Sequence, residues 1–301
     1  MADAIRNEQL TKRYGRRRGL DGLDLQVHSG EVFGFLGPNG AGKTTTIRLL
    51  LALLRPTSGH ARVLGADPYT GGIALRRRIG YLPGDFVVDG RQSVRELLIY
   101  VGNLRGGVPR ERIDGLAARL DLDLAARIRS LSKGNRQKVG LLQAFMHEPE
   151  LLILDEPTSG LDPLLQQTFL GLVREAKRDG QTVFMSSHVL SEVEQIADRA
   201  GIVREGKLVT VEEVEALRAR VTPLIEIRFE APVPAEAFTN LPAVQDLHLD
   251  GSLLRCRVDG HADALVKAAA RFTVLSIRSS EPSLEELFFT YYQTGEAHHA
   301  A

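Results

Sequence analysis

Two hydrophobic patterns alternate along most of the chain. Short, largely apolar runs bounded by turn residues occupy positions 31–36, 151–154 and 182–185, as expected of strands buried on both faces of a parallel sheet. Between them lie segments whose apolar positions recur every three or four residues, the spacing of one helix face: 43–54, closed by Arg55-Pro56, then 93–104, 110–120 and 135–147. Beyond residue 220 the rhythm changes. It predicts strands at 224–229, 244–249, 253–258 and 273–278, a short helix at 235–240 and longer ones at 261–271 and 283–292. That βαββαβ order is the split arrangement of ferredoxin-like domains, and Asp250-Gly251 marks a hairpin. In the last helix Ser283 caps, Glu286 follows three residues on, and Leu284, Leu287 and Phe288 form one apolar stripe expected to pack on its own domain.

Composition narrows the class. The 301 residues are 43% hydrophobic and a quarter charged, ordinary for a globular protein of one large or two modest domains. Basic and acidic residues balance at 38 each, which argues against a nucleic-acid-binding protein. The balance is uneven along the chain. Residues 221–301 carry six basic against eleven acidic side chains and the first 220 carry 32 against 27, so a domain boundary is expected near 220, beside Pro223. Cys256 is alone, so no internal disulfide forms and a reducing compartment is expected. The first ten residues are polar, without the apolar stretch of a signal peptide. The longest apolar run, 49–54, falls far below the roughly 18 residues of a membrane span, so no bilayer crossing is expected.

The strongest chemical signal is Gly37-Pro38-Asn39-Gly40-Ala41-Gly42-Lys43-Thr44, which fits G-x-x-x-x-G-K-[ST] between an expected strand and an expected helix. Glycines let the backbone approach a phosphate too closely for a Cβ, and the helix start aims N–H groups at it. Lys43 can then reach the outer phosphates and Thr44 can ligate Mg²⁺, with Thr45 completing the helix start. The 151–154 run ends in Asp155-Glu156-Pro157. Asp155 is placed for the metal and Glu156, one residue on, for taking a proton from an attacking water. His188, directly after the 182–185 run, is placed to contact the γ-phosphate and steady Glu156.

In this order the motifs resemble the ATP-binding subunit of ABC transporters over roughly residues 4–215. Tyr14 stands where that family stacks an aromatic ring on adenine. Leu131-Ser132-Lys133-Gly134-Asn135-Arg136-Gln137 is similar to its signature, 24 residues before Asp155, and Ser159-Gly160-Leu161-Asp162 is similar to its D-loop. The resemblance implies an α/β fold: a RecA-like P-loop NTPase core, an antiparallel β subdomain and an α-helical subdomain at about 84–150, followed by the small α+β ferredoxin-like domain at 221–301. It implies ATP and Mg²⁺ as ligands, a head-to-tail homodimer and a separate multi-pass membrane permease at the cytoplasmic face of the cell membrane. Ser132 and the N–H groups of Gly134 and Asn135 form a second anion-binding helix start, which cannot share one place with its own P-loop. In the resemblance it meets ATP held by the partner cassette, as Asp162 does.

Two positions depart from the family pattern. Tyr81-Leu82-Pro83 is followed by Gly84-Asp85 where a glutamine is usual, leaving its role vacant or taken by Asp85. The signature reads Lys-Gly-Asn rather than Gly-Gly-Gln. Similar replacements occur in ABC-2-type exporters of drugs and antibiotics, and residues 281–288 resemble the tail of that group. The alternative readings are a soluble cassette ATPase acting as a clamp, as in iron–sulfur assembly, and a slowly hydrolysing regulatory cassette. The cluster Arg127, Arg129, Lys133, Arg136 and Lys138 is expected to be mostly a solvated helix face, and His261 and His298-His299 to be solvated rather than ligating.

Overall fold

The structure, a computed structural model, describes residues 2–15, 17–219, 223–239 and 241–280. It divides into two compact units between Val214 and Glu215.

The first unit is built on a six-stranded sheet. Strands β3 (Val32–Leu36), β5 (Ile79–Leu82), β6 (Leu151–Asp155), β7 (Thr182–Ser187), β8 (Arg199–Arg204) and β9 (Lys207–Glu213) lie in the order β5-β6-β7-β3-β8-β9. All neighbours are parallel except β8 and β9. Every residue of β3, β6 and β7 is buried, which is why these strands read as unbroken apolar runs. Phe184 packs against Phe33 and Phe35, with ring centroids 6.0 and 5.4 Å away. The strand of 182–185 runs on to Ser187, so both serines belong to the sheet. A second, antiparallel sheet, β2-β1-β4, is formed by β1 (Asp3–Tyr14), β2 (Arg17–His28) and β4 (Ser58–Val63) and shares one apolar core with β3.

Helix α1 (Lys43–Leu50) is shorter than the sequence pattern. The N–H groups of Leu53 and Leu54 both turn back to the Arg48 carbonyl and Ala52 takes φ +55°, which ends the helix and frees the chain for Pro56 and β4. After α2 (Gly72–Arg77) come α3 (Val94–Leu104) and α4 (Arg110–Arg119). A Ser93/Glu96 capping box starts α3. Helix α5 (Lys133–Phe145) begins two residues earlier than expected because Ser132 caps it. Then follow α6 (Pro163–Arg178), α7 (Leu190–Glu194) and α8 (Val214–Ala219).

The second unit contains β10 (Leu224–Phe229), β11 (Val244–Asp250), β12 (Leu253–Val258), α9 (Asp263–Ala269) and β13 (Val274–Ser280). Its sheet is antiparallel in the order β11-β12-β10-β13. Phe229, Phe238 and Phe272 form its aromatic core, beside the buried Cys256, whose thiol is pushed up to about 11 by burial. The helix expected at 235–240 is one 3₁₀ turn, Ala235–Ala237; Pro234 precedes it and only four residues separate it from a further Pro242. Asp250 pairs with Leu253, so the hairpin loop is Gly251-Ser252, with Gly251 at φ +57°. The expected helix at 283–292, its Leu284/Leu287/Phe288 stripe and His298-His299 lie outside the described residues.

Candidate active site

The phosphate loop joins the carboxyl end of β3 to α1. Gly42, the residue before the helix, has φ +114°, and a Cβ there would lie 2.8 Å from Leu20 Cδ2 and 2.9 Å from the Gly19 carbonyl, so only glycine fits. The first N–H groups of α1 have no intrahelical acceptor and face the loop, the arrangement that receives an anion. One cleft is lined by Tyr14, Asn39, Gly40, Gly42, Lys43, Thr44, Thr45 and Glu156. Gly37, Pro38 and Ala41 form its floor: the Gly37 and Pro38 carbonyls accept from Lys43 Nζ at 2.6 and 3.3 Å, and Ala41 N donates to Pro38 O.

Lys43 is buried, and its ammonium lies 3.4 Å from Glu156 Oε1. The other oxygen of Glu156, Oε2, lies 3.4 Å from His188 Nδ1. One carboxylate therefore spans the loop lysine and the histidine. The Glu156 backbone is held in the left-handed region, φ +47°, with its N–H donating to Ser186 Oγ at 3.1 Å. Ser186 in turn donates to the buried Asp155, Oγ to Oδ1 at 2.5 Å. Tyr81 lies near that carboxylate: burial first, and the Asp155 charge second, push its phenol up.

Thr44 and Asp155 supply the hard oxygen donors that a divalent cation prefers, alongside phosphate and water. Among the described residues no cluster of three or more His, Cys, Asp or Glu forms a self-contained metal site. The donor set thus fits a cation held jointly with a bound nucleotide.

Tyr14 is 45% exposed at the cleft mouth, free to stack on a base, with Lys12 Nζ 5.4 Å from its ring centroid. Arg17, Arg18 and Gly19 line the same cleft and have no motif to announce them. A Cβ at Gly19 would come within 2.8 Å of Tyr14 Cε2, so this glycine sets the position of the ring.

The signature residues lie elsewhere. Ser132 Oγ accepts from Asn135 N at 3.2 Å, and the nearest atom to a Cβ built on Gly134 is the Gly160 carbonyl at 3.7 Å. Asp162 caps α6 by accepting from Leu165 N at 2.9 Å. None of these four lines the cleft of the P-loop. Most of the basic cluster is solvated: Arg127, Arg129 and Lys133 are exposed, whereas Lys138 donates to the Asp121 carbonyl and Arg136 Nε is buried. Asp85 is exposed, whereas Gly84 faces the Asp155 carboxylate: a Cβ there would lie 3.4 Å from Asp155 Cγ.

Comparison with known proteins agrees with this geometry. A family profile described as "ABC transporter" matches residues 20–159. The chain is 36% identical to the bacitracin transport ATP-binding protein BcrA of Bacillus licheniformis, across 96% of its own length and 97% of that protein. It belongs to the ABC transporter family. This ABC chain is also 41% identical, over 73% of its length, to the daunorubicin resistance ATP-binding protein DrrA3 of Streptomyces coeruleorubidus, 71% of which is covered. A solved "ATP binding subunit of ABC transporter" superposes on 71% of the chain and 92% of its own, with a TM-score of 0.68 and 29% identity. The activity is accordingly that of the family's ATP-binding subunits, ATP hydrolysis coupled to transport. Among the described residues no helix is long and apolar enough to cross a membrane.

Proposed function

We propose that this chain is the ATP-hydrolysing subunit of a drug or antibiotic exporter, working as a head-to-tail dimer on a separate membrane permease. The observation that carries the reading is the Glu156 carboxylate held between Lys43 and His188 at the mouth of the P-loop. When ATP enters, the loop N–H groups and Lys43 take up its phosphates and Tyr14 stacks on the base. Lys43 thereby exchanges the Gly37 carbonyl for phosphate oxygens. Thr44 and Asp155 hold Mg²⁺, which when bound neutralises charge on the outer phosphates. Glu156, freed from Lys43, accepts the proton of the attacking water, and His188 steadies Glu156 and the leaving γ-phosphate.

The signature face, Ser132, Gly134 and Asn135, lies outside the cleft of its own P-loop, and with Asp162 it is suited to closing over ATP on a second copy. Closure on ATP and reopening after hydrolysis supply the work, through unequal affinity for the two states. The apolar groove between Leu50, Leu53, Pro68, Leu75, Ile79 and Tyr81 is the surface we assign to the permease, which would hold the subunit at the cytoplasmic membrane face. Cargo of the bacitracin or daunorubicin kind follows from the names of the relatives. The domains are then a cassette of about 1–220 and an accessory unit of 221–301, ferredoxin-like in strand order and regulatory or dimer-stabilising in role.

The test is Glu156→Gln. Turnover is expected to fall by about 100-fold or more while ATP stays bound and traps a dimer visible by light scattering. A monomer at saturating Mg-ATP would count against the dimer mechanism.

A further inference from the structure

Helix α7 brings a carboxylate to the point where the two catalytic segments meet. Glu192 Oε2 accepts from Thr158 Oγ1 at 2.7 Å and from Ser187 Oγ at 3.0 Å. Thr158 lies two residues after Glu156, and Ser187 immediately precedes His188. Both hydroxyl-bearing residues are buried, at 5% and 2% exposure, so neither can exchange the carboxylate for bulk water. We infer that Glu192 is a positioning residue: it ties the loop carrying Glu156 to the strand end carrying His188 and so fixes the distance between base and histidine.

Three features support the tie. A carboxylate oxygen accepts, so Thr158 Oγ1 donates its one proton to Glu192, while the single Ser187 proton is shared between Glu192 Oε2 at 3.0 Å and the Val189 carbonyl at 3.1 Å. Bonds to an ionised acceptor are also about twice as strong as neutral ones. Ser187 Oγ accepts from Val189 N at 2.9 Å, which holds the chain on the far side of His188. Helix α7 itself is seated firmly. Val193 fills the place of the missing side chain on Gly34 of β3, where a Cβ would lie 2.2 Å from Val193 Cγ1.

Ser186 already pins the Asp155 carboxylate and the Glu156 backbone to β7. Glu192 pins the next stretch, and its reach extends further, because Leu161 N donates to the Thr158 carbonyl at 3.0 Å. The tie therefore joins His188 to the loop of residues 158–162. This inference rests on the roles proposed above for Glu156 and His188.

The experiment measures kcat and KM for Mg-ATP, and the Kd of a fluorescent ATP analogue, on the purified full-length chain. For Glu192→Ala, kcat is expected to fall about 10-fold while KM and Kd stay within about twofold. Glu192→Gln keeps an oxygen to which both hydroxyls can donate and is expected to retain at least about a third of wild-type kcat. Thr158→Val alone lowers kcat, and adding it to Glu192→Ala costs nothing more, since a broken tie cannot be broken again.

Unchanged kcat in Glu192→Ala overturns the inference. So does a Gln variant as impaired as the Ala variant, a rise in KM in place of the fall in kcat, or additivity in the double variant. Should Glu192→Ala fail to fold, Thr158→Val and Ser187→Ala replace it: a lowered kcat at unchanged KM in both supports the tie, and wild-type kcat in either refutes it. Glu156→Gln in the same assay separates the two readings. Retained turnover there refutes the base assignment, whereas lost turnover beside an unaffected Glu192→Ala refutes only the tie.

Discussion

His147, just past α5, gives a pH-dependence that can be worked from the structure. Arg105 Nη1 lies 2.7 Å from His147 Nε2 and donates to the Ile79 carbonyl, also at 2.7 Å. Nε2 faces the guanidinium, which only donates, and at 3.2 Å the Ile79 carbonyl, which only accepts, while Nδ1 is buried without a partner, so a second proton on the ring would gain no acceptor there. Burial first, and the Arg105 charge second, push the imidazole down to about 4 from its usual 6.5. The folded state thus resists a proton that the unfolded chain takes readily. The His147 contribution is complete above about pH 6.5, falls as pH drops from there towards 4, and changes no further below that. At about 1.4 kcal/mol per pKa unit the full shift would be worth roughly 3 kcal/mol, and partial solvation of the ring brings the expectation to about 2 kcal/mol. The variant is His147→Gln, whose amide oxygen can still accept from Arg105 and does not titrate. Urea unfolding followed by circular dichroism at steps from pH 7.5 to 4.5 should show wild type losing about 2 kcal/mol more than the variant. Parallel stability curves would refute the neutral, buried histidine.

Two further outcomes follow from glycines at the site. Gly84→Gln places a Cβ at ordinary contact, 3.4 Å from Asp155 Cγ and 3.5 Å from Oδ2, so the amide fits beside the metal carboxylate; steady-state turnover should rise by about threefold or more, and unchanged kcat would sink the idea that the missing side chain slows hydrolysis. Gly19→Ala pushes on the exposed Tyr14 ring from 2.8 Å, so the Kd for ATP should weaken by about 5–10-fold, as in Tyr14→Ala, with kcat at saturation little changed. Titration of a fluorescent nucleotide checks this, and a wild-type Kd for Gly19→Ala would show that the ring has room to yield.

The parts of the molecule legible in the sequence are those whose cause is local. The glycines and lysine of the P-loop, the buried runs that became β3, β6 and β7, and the carboxylates ending β6 announce themselves because composition and spacing within a few residues dictate them. The end of α1 was obscured because Leu51–Leu54 keep an apolar character while the N–H groups of Leu53 and Leu54 turn back on Arg48. Glu192 was hidden for a different reason. It reads as one more acidic residue on a short helix, and its partner Thr158 is 34 positions away, brought near only by the parallel pairing of β6 and β7. Gly19 likewise looks like a turn glycine until the strand pairing sets it against Tyr14. Ser132 was legible as a polar residue at a helix start, and it does cap α5; Asp162 was named only for its likeness to a D-loop, and the helix it caps, α6, had no pattern that announced it.

Glu156 occupies a backbone conformation that an L-residue adopts at a cost of about 1–2 kcal/mol and glycine adopts freely. Backbone conformation and the proton-accepting role proposed for the carboxylate therefore pull this position in opposite directions. Glycine there would relieve the backbone but would leave the buried Lys43 ammonium without its carboxylate, so the relief and the lost ion pair oppose each other at one residue.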